Sequence, residues 1–272
     1  MGLSVSDLGP GASVQTEGPL PAEAPEVAEY HRIFRPGVRL GGSRILIAES
    51  YVYDFGDVGT ATLVFEGARR QLNTRAGRRS LAKQIARDVS RTATFKVVSV
   101  TVGAPVSMGF GDEALRVTAR IRGKVQSRAI TIDVVHDFLR LDRALGEIGL
   151  GSYPGKHIPA PIAALAARKV ATHFKTAFTV RDLTPPSISG ITSQGQTLSA
   201  NPGSWAGAPS GFTYQWARCD AAGANCAPIP GAIAQTYLLG TADAGARITV
   251  TVTAANSVTS VSLGATPTAV VS

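Results

Sequence analysis

An α+β domain followed by an all-β sandwich is the fold class this sequence predicts, and three observations predict it. Residues 43–55 and 94–139 alternate apolar with polar side chains and are rich in β-branched and aromatic types, as strands are. Helix-length stretches with a single apolar stripe interrupt and follow them. Beyond residue 187 helical periodicity stops, and short alternating runs recur between Gly-, Pro- and Asn-rich gaps. The charge divides at the same place. The formal net charge is +8, yet from Ser187 onward the only charges are Arg218, Asp220, Asp243 and Arg247, which cancel. A basic body joined to a neutral tail reads as two modules, and 272 residues suffice for two cores.

Taken in order, residues 1–24 are Gly-, Pro-, Ser- and Glu-rich and read as a flexible arm. The α+β domain then covers 25–182, an antiparallel sheet with helices on one face. Residues 26–34 predict a short helix stopped before Pro36, and residues 43–55 a strand. A helix follows over 58–90, broken near 73–77, with Leu81, Ile85 and Val89 at i, i+4 and i+8. Strands are expected at 94–106, 114–124 and 127–139, with a tight turn at Gly123-Lys124-Val125-Gln126. Residues 141–151 favour a further strand over a helix because of their three glycines. Residues 159–175 form a helix with Pro161 in its first turn.

Residues 183–187, with Thr184-Pro185-Pro186-Ser187 at their heart, read as an extended, semi-rigid linker. Strands are then expected at 197–201, 212–219, 235–239, 246–256 and 260–271. Phe212, Tyr214 and Trp216 share one strand face, with Tyr214 and Trp216 as core, so Cys219 falls on the other.

The series Gly195-Gln-Thr-Leu198, Pro202-Gly-Ser-Trp205, Tyr214-Gln-Trp216, Cys219 to Cys226, Asp243-Ala-Gly245 and Ala254-Ala-Asn256 resembles a bacterial immunoglobulin-like repeat. The resemblance covers about residues 186–272 and implies an immunoglobulin-like sandwich, at 188–272, in a secreted or cell-surface protein, acting as a spacer, adhesive or oligosaccharide-contacting module. It departs from antibody domains, whose disulfide spans the two sheets, because Cys219 and Cys226 are close neighbours. A structural disulfide that staples a hairpin end is favoured over a metal or redox pair, since no histidine lies nearby. The helix–strand–helix–meander–helix order of the first domain is similar to PsbP-like domains of bacterial lipoproteins and sensor ectodomains, and Arg35-Pro-Gly-Val-Arg-Leu-Gly-Gly-Ser-Arg44 adds to that likeness.

Arg75, Arg79, Lys83, Arg87 and Arg91 are spaced by four and form a basic ridge on a continuous helix, to which Arg69, Arg70 and Arg78 add. Like charges at that spacing cost helix stability, so the ridge reads either as a solvated face or as an anion-binding surface for a cell-envelope polymer or an anionic surface. Tyr51, Tyr53 and Phe55 share a strand face, and with Phe138 they read as core or as the lining of an apolar ligand pocket.

Several classes of function are disfavoured. No aromatics interleave with the ridge, which argues against nucleic acid. No apolar run approaches a membrane span. The four histidines show no metal-ligand spacing, so neither metal nor cofactor is expected. Gly149, Gly151 and Gly155 imitate part of a dinucleotide fingerprint, but Pro154 takes the third glycine position. No nucleophile elbow marks a serine.

The expectation is therefore a non-enzymatic exported or cell-surface protein whose α+β domain binds a partner, such as another surface protein. The alternatives are a small-ligand or lipid-binding protein using the Tyr51/Tyr53/Phe55 face, and a hydrolase using His136 or His157. The first twenty residues lack the basic start and apolar centre of a leader, so export implies one removed upstream. The Arg-, Ala-, Gly- and Val-rich composition matches a high-GC bacterial genome.

Overall fold

The computed structural model describes every residue except 1, 9, 23–25, 27 and 92–94, and at 88 and 91 the backbone alone. The chain is mixed α+β, with three α-helices among the described residues and antiparallel sheets. It divides into two compact units, Met1–Lys175 and Thr176–Ser272.

The first unit is built on an eight-stranded antiparallel sheet. Its strands are β1 (Val14–Leu20), β2 (Ala28–Phe34), β3 (Ile47–Asp54), β4 (Lys96–Val102), β5 (Val106–Met108), β6 (Glu113–Val125), β7 (Arg128–Leu141) and β8 (Ala144–Gly151). The order across the sheet is β1-β2-β3-β8-β7-β6-β4, with β5 also on β6. Helices α1 (Val58–Asn73) and α2 (Arg75–Arg91) follow β3, and α3 (Ala160–Phe178) follows β8. Of the strand expected over 94–106, residue 94 lies outside the described residues and the rest is two strands rather than one, divided at Gly103-Ala104-Pro105, where proline removes a ladder donor.

The interruption between α1 and α2 is local chemistry. Thr74 has extended backbone; its hydroxyl donates to the Gln71 carbonyl at 2.9 Å and accepts from the Gly77 N–H at 2.9 Å. One residue thus closes the first helix and caps the second. A Cβ at Gly77 would lie 2.0 Å from the Gln71 carbonyl oxygen, so this close approach requires glycine.

Three further expectations for this unit are corrected. Residues 28–34 are strand β2, not helix: tertiary pairing with β3 overrides the weak local preference, and Tyr30, Ile33 and Phe34 suit a strand. This changes the first element of the order likened to PsbP-like domains. Residues 14–20 of the expected arm are strand β1 on β2, and Leu3 and Leu8 are buried. The helices also cover both sheet faces. A Cβ at Gly146 would lie 2.7 Å from the Phe174 ring of α3, whereas Leu145 and Glu147, which point the other way, line space beneath the first two helices.

The second unit carries β9 (Arg181–Thr184), β10 (Ser187–Ser189), β11 (Thr197–Asn201), β12 (Ser204–Ala206), β13 (Gly211–Cys219), β14 (Ala227–Pro228), β15 (Thr236–Leu238), β16 (Arg247–Ala255) and β17 (Ser260–Gly264). They form sheets β9-β12, β10-β11-β15 and β14-β13-β16-β17. Along β16, Ile248, Val250, Val252 and Ala254 are buried while their neighbours are half-exposed. Leu198 of the three-stranded sheet joins Trp216, Ile248 and Val250 of the four-stranded one in a single core, with Tyr214 packed against it. The Trp216 indole N–H donates to the Ala234 carbonyl at 2.9 Å, so the ring is buried without an unsatisfied donor. Thr184-Pro185-Pro186-Ser187 lies inside this unit, because β9 already pairs with β12 ahead of the prolines.

Cys219 and Cys226 form a disulfide across the loop between β13 and β14, and neither belongs to the core cluster. Asp220 orders the same loop by accepting from the N–H groups of Ala222 and Ala224, both at 2.9 Å.

Candidate ligand cavity

Strand register builds the candidate site row by row. Cross-strand partners point to the same face, and one row reads Tyr51, Glu147, Phe138, Leu115. The next reads Glu49, Gly149, His136, Val117. Gly149 leaves a gap in that row. A Cβ there would lie 2.5 Å from Glu49 Oε1, so its absence lets the carboxylate lean toward His136 across the missing side chain.

Helices α1 and α2 cover this face without filling it. Under α1 lies a cavity of about 230 Å³ lined by Tyr53, Phe55 and Phe138 together with Val64, Phe65 and Leu72. Under α2 lies one of about 250 Å³ lined by Tyr51, Tyr53, Phe138, Glu49, His136 and Glu147, with Leu81 and Ile85 overhead. The two share Tyr53, Phe138 and Glu147. Tyr51 and Tyr53 stack with ring centroids 6.4 Å apart, and His31 stacks on Tyr51 at 6.2 Å. The structure thus gathers all four aromatic pocket candidates, each lining at least one cavity.

The polar groups form a chain. His136 Nδ1 lies 2.9 Å from Glu147 Oε1, its Nε2 lies 3.8 Å from Glu49 Oε1, and the Tyr53 hydroxyl donates to Glu147 Oε2 at 3.4 Å. Burial works against a charged His136, but the Glu147 hydrogen bond and the charges of Glu147 and Glu49 outweigh it and raise the imidazole pKa. Burial also raises the Glu49 pKa, helped by the Glu147 charge and opposed by His136. Tyr51 is pushed up to about 12, by burial first and then by the charges of Glu49 and Glu147, so its phenol stays neutral.

Glu49, His136 and Glu147 were not named as pocket residues from sequence, although Glu49 shares strand parity with Tyr51 and Tyr53 and was legible on that ground. His136 and Asp137 are adjacent on β7, so their side chains point to opposite faces. Asp137 points to the other face and takes a two-pronged hydrogen bond from Arg116, both prongs 2.7 Å long.

The other candidates lie apart from this cavity. Arg75, Arg79, Lys83 and Arg87 are exposed along α2, while the Arg91 side chain lies outside the described residues. Arg69 and Arg78 are drawn off the ridge, Arg69 to Glu66 at 3.0 Å and Arg78 to the Leu72 carbonyl at 2.8 Å. His157 Nδ1 contacts Asp133, which is also clamped by Arg120 at 2.7 and 3.0 Å, beside a hollow of about 400 Å³ on the edge of the sheet. No serine, threonine or cysteine hydrogen-bonds His136 or His157 among the described residues, so neither histidine has a nucleophile in hand. No group of three or more His, Cys, Asp or Glu is placed to hold a metal among the described residues. No helix among them is long and apolar enough to cross a membrane.

Family models, curated proteins and solved structures give no match to this chain.

Proposed function

We propose that this chain is an exported, non-enzymatic binding protein whose first unit holds a small amphipathic ligand between its sheet and helices α1 and α2. One observation carries the reading: the aromatic face of the sheet is roofed by the helices but left unfilled, as adjoining cavities of about 230 and 250 Å³. Apolar pockets with a few convergent polar groups are what ligand sites look like. The second unit is the immunoglobulin-like spacer or adhesive module. Its Trp216-centred core, drawn from two sheets, supports that reading, and its disulfide suits an oxidising compartment.

The test uses N-phenyl-1-naphthylamine, a neutral apolar probe that fluoresces on leaving water. The parent protein should bind it at micromolar concentration. Ala68→Trp, which fills the cavity from α1, should weaken binding at least about tenfold with the far-UV circular dichroism unchanged. No fluorescence gain with the parent, or an equal gain with the filled variant, would remove the cavity as the ligand site.

A further inference from the structure

We infer that the ligand of this cavity is a cationic amphiphile: an organic amine with its ammonium head between Glu49 and Glu147 over the Tyr51 ring, and its apolar chain beneath α1. The inference rests on the cavity being a ligand site and adds the chemical class of what enters.

The first ground is a charge contrast. The chain carries a formal net charge of +8. Yet the carboxylates lining the two cavities are Glu26, Glu49 and Glu147, and the lining residue able to oppose them with positive charge is His136. A basic protein that concentrates acids in one recess attracts cations there and repels anions.

The second ground is an incomplete ion pairing. His136 is engaged by Glu147 at 2.9 Å, and the Tyr53 hydroxyl also donates to Glu147. Glu49 receives no hydrogen bond among the described residues, and its nearest cation, His136 Nε2, stands 3.8 Å away. A carboxylate that is about three-quarters withdrawn from water, with its ion-pair partner beyond hydrogen-bond distance, keeps part of its desolvation cost, and its raised pKa reports the same cost. A ligand ammonium would supply the missing donor.

The third ground is the wall. Tyr51, Tyr53 and Phe138 present aromatic rings beside the carboxylates, and Tyr51 stays neutral well above physiological pH. Ring faces within about 6 Å of a cation attract it, most strongly when water is excluded. The adjoining cavity continues the site with Val64, Phe65, Leu72 and Leu115, which suit a hydrocarbon chain. Acidic head space and apolar tail space meet at Tyr53, Phe138 and Glu147.

The experiment compares octylammonium, 1-octanol and octanoate, which share a chain and differ in head charge, by calorimetric titration at neutral pH. Octylammonium should bind at least about tenfold tighter than octanol, which corresponds to about 1.4 kcal/mol, and octanoate should bind weakest. Glu49→Gln keeps the shape and removes the charge. It should erase most of the ammonium advantage while leaving octanol affinity within about twofold. Tyr51→Leu should do the same through the lost ring, with circular dichroism reporting the fold of both variants. Octanol matching octylammonium, octanoate binding tightest, or an ammonium preference untouched in both variants would overturn the cationic assignment while N-phenyl-1-naphthylamine binding still upheld the cavity. Failure of all three alkyl probes and of the naphthylamine would overturn both.

Discussion

His136 has two carboxylates within reach and a burial cost to meet, so its protonation is where the cavity couples to pH. Because the folded pKa lies above the ordinary value near 6.5, folding favours the protonated ring. The stability this contributes is fully present below about pH 6.5 and is lost as pH rises through the folded pKa. Titrating the His136 ring protons by NMR should give a midpoint above 6.5, and Glu147→Gln should bring it down. A midpoint at or below 6.5 in the parent would contradict the geometry. A different buried polar group sits in the second unit. Asp243 is buried and accepts from Arg218 Nε at 2.8 Å, from the Tyr237 hydroxyl at 2.9 Å and from the Gly240 N–H at 2.8 Å. The Asp243-Ala-Gly245 motif thus marks an internal anchor that ties β13 to β15, and its aspartate is fully paired.

At the scale of elements, the α1–α2 junction gives a sharp prediction. An exposed helix glycine changed to alanine usually gains about 1 kcal/mol. Gly77→Ala should instead lose about 1–3 kcal/mol, as overpacked sites do, because its Cβ would meet the Gln71 carbonyl. Urea unfolding reads the difference, and a stabilised variant would refute the close approach. Much of this element pattern was legible. The break near residue 74, the strand nature of 144–151 and α3 follow from periodicity and local signals; the hairpin β6–β7 does too, but its turn lies at Gln126-Ser127 rather than at 123–126, because Gly123, Lys124 and Val125 stay paired with Ile130, Ala129 and Arg128. What escaped was decided by tertiary partners. The β2 segment has little local strand signal at Ala28-Glu29 and becomes a strand by pairing with β3 and β1. Likewise, the side of the sheet taken by α3 depends on Gly146 admitting Phe174, which no spacing rule reveals. The aromatic half of the cavity and Glu49 were readable from parity along β3, but His136 and Glu147 needed the register of β7 and β8 to be seen.

For the whole molecule, export is the claim with the widest reach. Cys219 and Cys226 close a short loop, a cross-link that contributes roughly 2.5 kcal/mol on a chain-entropy view. Mass spectrometry of the protein from its native host should find the peptide spanning both cysteines lighter by two hydrogens, in the extracellular or surface fraction. Reduced thiols in a cytosolic fraction would remove the basis for export.

The pairing of β1 with β2 has one further consequence. Residues that look dispensable in the sequence supply one edge strand of the sheet, held by a Glu17–Arg32 ion pair of 2.5 Å and by Arg32 reaching the Leu3 carbonyl at 2.8 Å. That strand carries Gly18 and Pro19, which make a poor template for another chain. Beneath it, β2 is rich in ring-bearing and branched side chains and has a full row of hydrogen-bonding groups. A fragment trimmed to begin at residue 25 would exchange a blunt rim for an adhesive one, inviting edge-to-edge polymerisation. The N-terminal segment therefore shields the β2 edge from pairing with another chain.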